Sequence, residues 1–79
     1  MLKIKDLNEL LKHNFEQADF NDKYLIRYIY IDKEINYETL YVNKDTKEIF
    51  AYDDYADKRI PMQDEWIKDI KYLVEKVGE

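Results

Sequence analysis

Between Tyr24 and Tyr52 apolar and aromatic side chains recur at every second position, the period of an extended strand with two distinct faces. The pattern predicts three strands, Tyr24–Ile31, Asn36–Asn43 and Glu48–Tyr52, joined by the four-residue links Asp32–Ile35 and Lys44–Lys47. With links of that length the register follows. Tyr30 stands opposite Tyr37, Tyr28 opposite Thr39 and Ile26 opposite Tyr41; Tyr41 in turn faces Phe50 and Thr39 faces Tyr52. Leu25, Ile29, Ile31, Leu40, Val42, Ile49 and Ala51 then share one face. Ile26, Tyr28, Tyr30, Tyr37, Thr39, Tyr41, Phe50 and Tyr52 share the other. One face can cover a core, and the second, rich in tyrosine, calls for a separate explanation.

On either side of this meander the spacing changes to that of a helix. Asp6 suits an N-cap with Glu9 three residues on, and Leu7, Leu10, Leu11, Phe15 and Ala18 form one stripe, which predicts a helix from about Asp6 to Gln17. After a charged connector, Asp53–Pro61, a second stripe of Trp66, Ile67, Ile70, Leu73, Val74 and Val77 predicts a helix from about Asp64 to Val77, stopped by Gly78. The expected fold is α+β: a three-stranded antiparallel β-meander with one helix before and one after (α-β-β-β-α). Both helices are expected on the aliphatic face, in a single small domain spanning residues 1–79. Arg27, at the edge of that layer, is expected to reach Glu38 on the neighbouring strand.

Composition sharpens this picture. At 79 residues a single core is barely sufficient, so 46% hydrophobic and 15% aromatic content, with eight Tyr, implies dense burial. There is no Cys, compatible with a reducing compartment, and Met1–Lys5 carries no apolar signal region. The longest apolar stretch, Tyr24–Ile31, is interrupted by Arg27 and too short to span a bilayer, so a cytoplasmic, non-membrane protein is expected. The net charge of −5 disfavours nucleic acid and anionic membrane as partners, since phosphate binding needs a positive surface, and favours a protein with a basic surface.

The order helix, meander, helix resembles that of double-stranded-RNA-binding domains. Their basic loop and basic second-helix start are absent, and Asp64, Glu65 and Asp69 stand there instead. Tyr41–Ile49 is similar to the terminal hairpin of PepSY-type domains, in which glycine usually occupies the position of Lys47 because the backbone there is left-handed.

Candidate chemistry is sparse. His13 lies on the polar side of the first stripe near Glu9 and Lys12, without a second His or a Cys to complete a ligand set or triad. Asp53, Asp54 and Asp57 lack the alternating oxygens, Gly and distant Glu of a calcium loop. Ser is absent, Thr39 and Thr46 fall in a strand and a turn, and Gly78 is the only glycine, so neither a nucleophile nor a phosphate cradle is available. A non-enzymatic protein without cofactor or metal is expected.

The remaining candidate is the tyrosine face: Tyr28, Tyr30, Tyr37, Tyr41, Phe50 and Tyr52, flanked by Asp53, Asp54, Tyr55 and Asp57. Tyrosine offers large, rigid contact area with a polar tip. Aromatic sheet faces also stack single-stranded bases, but the acidic balance disfavours that use. The expected function is an acidic protein-binding module, an inhibitor or antagonist directed at a basic, nucleic-acid-binding surface of a larger protein. In kind it is similar to phage anti-defence proteins, anti-CRISPRs included, and to immunity proteins or antitoxins. The alternative is a structural or assembly protein that homodimerises through the same face.

Overall fold

The computed structural model describes residues 1–29 and 38–78. In chain order its elements are β1 (Leu2–Ile4), α1 (Leu7–Leu10), β2 (Glu16–Gln17), β3 (Tyr24–Ile29), β4 (Glu38–Asn43), β5 (Glu48–Asp53), β6 (Lys58–Ile60) and β7 (Val74–Lys76). Single 3₁₀ turns occupy Leu11–His13, Asp64–Ile67 and Lys71–Leu73. The seven strands form one antiparallel sheet in the order β2-β3-β4-β5-β1-β7, with β6 on β5 beyond the end of β1.

The central meander has the register read from the alternation: Ile26 faces Tyr41, Tyr28 faces Thr39, Thr39 faces Tyr52 and Tyr41 faces Phe50. The Tyr30–Tyr37 pair and the Asp32–Ile35 link lie outside the described residues. Lys47 adopts φ 66°, the left-handed conformation expected of it.

Of the flanking helices the first is cut to four residues and the second is replaced by 3₁₀ turns and a strand, and the α-β-β-β-α class is overturned by a seven-stranded sheet with one short helix. Asp6 does cap a helix, its carboxylate accepting from the amides of Asn8 (3.0 Å) and Glu9 (3.3 Å). That helix ends at Leu10, and after one 3₁₀ turn Asn14 turns left-handed at φ 66°. Asn tolerates this conformation better than most residues. The reversal drops Phe15 into the core and pairs Glu16 and Gln17 with Ile26 and Leu25 of β3. In the C-terminal segment Trp66, Ile70 and Leu73 each donate an amide hydrogen bond to the carbonyl three residues earlier (3.1, 3.0 and 2.8 Å). A 3₁₀ path aligns every third residue, so Ile67, Ile70 and Leu73 face the core without an α-helix. The order shared with double-stranded-RNA-binding domains is therefore absent.

The core lies on the aliphatic side. Leu25, Ile29, Leu40, Val42, Ile49 and Ala51 pack with Ile4, Leu10, Phe15, Ile67, Ile70 and Leu73, all buried. Among the described residues the helical turns thus pack on the aliphatic face of the sheet.

Arg27 sits at the edge of this core but does not reach Glu38. It forks onto Asp69 (Nη1 to Oδ2 2.7 Å, Nη2 to Oδ1 3.1 Å) and donates to the carbonyls of His13 (3.0 Å) and Trp66 (2.6 Å). Phe15 lies beneath the guanidinium, its ring centre 4.8 Å away. Glu38 Oε2 is buried without a hydrogen-bond partner among the described residues.

Candidate protein-interaction face

The charged connector after β5 is a second hairpin turn built like the one before it. In the first, Asn43 Oδ1 accepts from the amides of Asp45 (2.9 Å) and Thr46 (3.2 Å), and the Lys47 amide returns to the Asn43 carbonyl (2.7 Å). Ten positions on, Asp53 Oδ1 accepts from Tyr55 (2.9 Å) and Ala56 (3.0 Å), and the Asp57 amide returns to the Asp53 carbonyl (2.8 Å). Asp57, like Lys47, is left-handed, at φ 57°. An Asx side chain that bonds the backbone two residues on is the usual reason such a turn closes.

This turn folds two carboxylates back onto the aromatic face. Asp54 Oδ1 accepts from the Tyr41 hydroxyl (2.8 Å) and its Oδ2 from Thr39; Asp57 accepts from Tyr52. The three acidic residues are thus fixed in position rather than trailing from the sheet: Asp53 holds the turn, and Asp54 and Asp57 lie against hydroxyls.

Beneath them the rings form one cluster. Tyr41 stacks on Phe50 (centroids 5.5 Å, planes 9° apart) and meets Tyr24, Phe20 and Tyr52 at 5.6, 5.9 and 5.4 Å. Offset-stacked and edge-on pairs of this kind are the favourable geometries for aromatic rings. Arg59, opposite Tyr52 on β6, lays its guanidinium over Phe50 at 3.9 Å and pairs with Glu48 (2.9 Å). Phe20, Tyr28 and Tyr55 are the exposed aromatics around this cluster, at 64%, 52% and 86%. A cleft of about 310 Å³ opens beside Tyr28 where β2 begins, lined by Asn14, Glu16, Arg27 and Tyr28.

Burial, followed by the hydrogen bond to Asp54, pushes the Tyr41 phenol well above its ordinary value; Tyr52 is raised chiefly by its hydrogen bond to Asp57. A phenol raised in the folded state stabilises the fold fully below the unfolded value, about 10, and loses that contribution as pH climbs from there towards the folded value. Stability should therefore fall on the alkaline side, and Tyr41→Phe should make that fall shallower, as measured by urea denaturation at a series of pH values above about 9.

Of the residues selected from the sequence, Tyr28, Tyr41, Phe50, Tyr52, Asp54, Tyr55 and Asp57 are assembled on or around this face, Asp53 shapes the turn beside it, and Tyr30 and Tyr37 lie outside the described residues. Sequence reasoning missed Tyr24, Phe20, Glu48 and Arg59. Tyr24 has the parity of Ile26 and Tyr28, and Asp53 stands ten residues after Asn43 at the head of a similar segment, so both signals were present.

His13 belongs elsewhere, in a polar network rather than in solvent. Its Nε2 is 2.8 Å from the Tyr72 hydroxyl and its Nδ1 3.4 Å from Asp69 Oδ2, while Tyr72 donates to Glu9 (3.3 Å). Burial raises the Asp69 carboxyl, but the hydrogen bonds and charge of Arg27 outweigh it and hold the group below its ordinary value. The network ties the Leu11–His13 turn to the C-terminal turns.

Among the described residues no three His, Asp or Glu side chains gather as metal ligands, and no helix is long and apolar enough to cross a membrane. No protein-family model matches the chain, and comparison with curated proteins and with solved structures returns no match.

Proposed function

We propose that the chain is a non-enzymatic acidic protein-binding module that sets its tyrosine face against a basic surface of a larger protein and acts as an inhibitor or antagonist of it. The observation that carries this reading is the anchoring of Asp54 and Asp57 on Tyr41, Thr39 and Tyr52, which places negative charge on an aromatic sheet face otherwise left uncovered by the helical turns. Fixed carboxylates steer a cationic partner into register, and exposed rings supply the desolvated anchors that slow its release. A nucleic-acid-binding groove is the basic surface such a module suits best, as for the anti-defence and immunity proteins it is similar to in kind.

The two contributions separate in kinetics. Asparagine keeps the single acceptor oxygen that Asp53 and Asp57 each use and one of the two that Asp54 offers to Tyr41 and Thr39, so a triple Asp53, Asp54, Asp57→Asn variant should fold at a cost of about 1 kcal/mol for the one hydroxyl bond lost. With a partner recovered from cell extract, it should lose about tenfold in on-rate and show a flatter salt dependence. Tyr28→Ala should instead raise the off-rate. A partner whose rates ignore both variants places its site elsewhere and removes the reading.

A further inference from the structure

The two arginines of the chain are seated alike. Arg27 lies over Phe15 and forks onto Asp69; Arg59 lies over Phe50 and forks onto Glu48 (2.9 and 3.4 Å). The seats share no residue and lie on opposite faces of the sheet: Arg27 faces Leu40 on the aliphatic side, Arg59 faces Tyr52 on the other. Each joins an aromatic ring to a carboxylate. A planar, weakly hydrated guanidinium satisfies both parts at once, stacking on the ring while its edge bonds the carboxylate bidentately, and an ammonium does neither as well.

Tyr28 offers the same parts. Its ring stands on the tyrosine face, 52% exposed, and no cation among the described residues lies over it. Thr39, directly opposite, holds Asp54, whose carboxylate has acceptor sites beyond the two that Thr39 and Tyr41 occupy. On the other side Glu16 borders the cleft that Tyr28 lines.

We infer that Tyr28, Asp54 and Glu16 form a third seat, and that it takes an arginine side chain of the partner. The inference rests on reading the face as a protein-binding surface and adds the chemistry it selects: arginine in preference to lysine.

Two synthetic peptides decide it, one with three arginines separated by Gly-Ser pairs and one with lysines in their place, each titrated at low salt into the ¹⁵N-labelled protein and followed residue by residue by NMR. The arginine peptide should shift the amides of Tyr28, Thr39 and Asp54 and bind about fivefold more tightly than the lysine peptide, the ratio expected of one stacked guanidinium at an exposed site. Tyr28→Phe should keep that preference, whereas Tyr28→Ala and Asp54→Asn should each abolish it. Equal affinity for the two peptides, with shifts still centred on Tyr28, overturns the arginine seat and leaves the basic-partner reading standing. Shifts that bypass the tyrosine face with both peptides overturn the two together. Self-association that buries Tyr28 in the free protein also overturns the seat, since no arginine then has access to it.

Discussion

Leu40→Ala should lower the free energy of unfolding by about 3–5 kcal/mol, the upper range for large-to-small changes in a core that cannot collapse around the gap. Leu40 is fully buried on β4, with Arg27 opposite on β3 and Ala51 opposite on β5, and the turns carrying Ile67, Ile70 and Leu73 belong to the same cluster. A strand held on both edges has little freedom to move inward. A single core in a domain of this size supplies rarely more than about 3–5 kcal/mol of net stability, so the variant should be largely unfolded at room temperature. Circular dichroism with urea denaturation reads the loss. Tyr28→Ala, on the exposed face, should change stability by no more than about 0.5 kcal/mol and serves as the control. A drop for Tyr28→Ala comparable to that for Leu40→Ala would mean the tyrosine face is a second core. Tyr41→Ala falls between the two, because Tyr41 stands at the centre of the ring cluster as well as under Asp54.

Arg27→Ala should cost about 2–3 kcal/mol, below the full penalty for breaking a buried pair because Asp69 is half exposed and screened by water. The loss has three parts: the bidentate pair with Asp69, the carbonyls of His13 and Trp66 left without their donor, and the contact with Phe15. Arg27→Lys should recover only a minor share, since one ammonium cannot reach three acceptors set out for a fork. A pH test distinguishes the pair from general packing. Asp69 is held below its ordinary value in the folded state, so its contribution is present above that value and is lost as pH falls through the folded one. Arg27→Ala should flatten that acid-side loss in urea midpoints between about pH 5 and 2. An unchanged acid limb would show that Asp69 owes its lowered value to something other than Arg27.

The meander was legible because strands tied by short links must keep their parity: moving Tyr41 one place against Phe50 would turn Leu40 and Val42 out of the core. The flanking segments were not, because a stripe at positions 67, 70 and 73 fits 3₁₀ turns as well as an α-helix, and hydrophobic spacing alone does not choose between them. Asp6 correctly marked where a helix starts, but nothing local to Leu7–Leu11 announces the stop at Asn14; that comes from burying Phe15 and pairing β2 with β3. β1 was visible in principle, since Leu2, Lys3 and Ile4 alternate as a strand does. Of the candidate site, the rings could be read from parity. Their carboxylate partners could not, because the bonds from Tyr41 and Thr39 to Asp54 depend on how the Asp53 turn folds back, which no spacing rule encodes.

β1 lies between β5 and β7, so the strand at Leu2–Ile4 is zipped to the strand at Val74–Lys76, with the Val77 amide on the Met1 carbonyl (2.8 Å) and the Lys5 amide on that of Leu73 (2.8 Å). That pairing closes a ring of nearly the whole chain, the most demanding loop in the molecule to close from a disordered state. The hairpins that link β4, β5 and β6 bring together residues only a few positions apart and can form first. During synthesis the last segment must leave the ribosome before β1 gains its outer neighbour, and a weakening of this terminal pair alone should speed unfolding while leaving the folding rate nearly untouched. The seam between β1 and β7 should therefore be the last to form and the first to open.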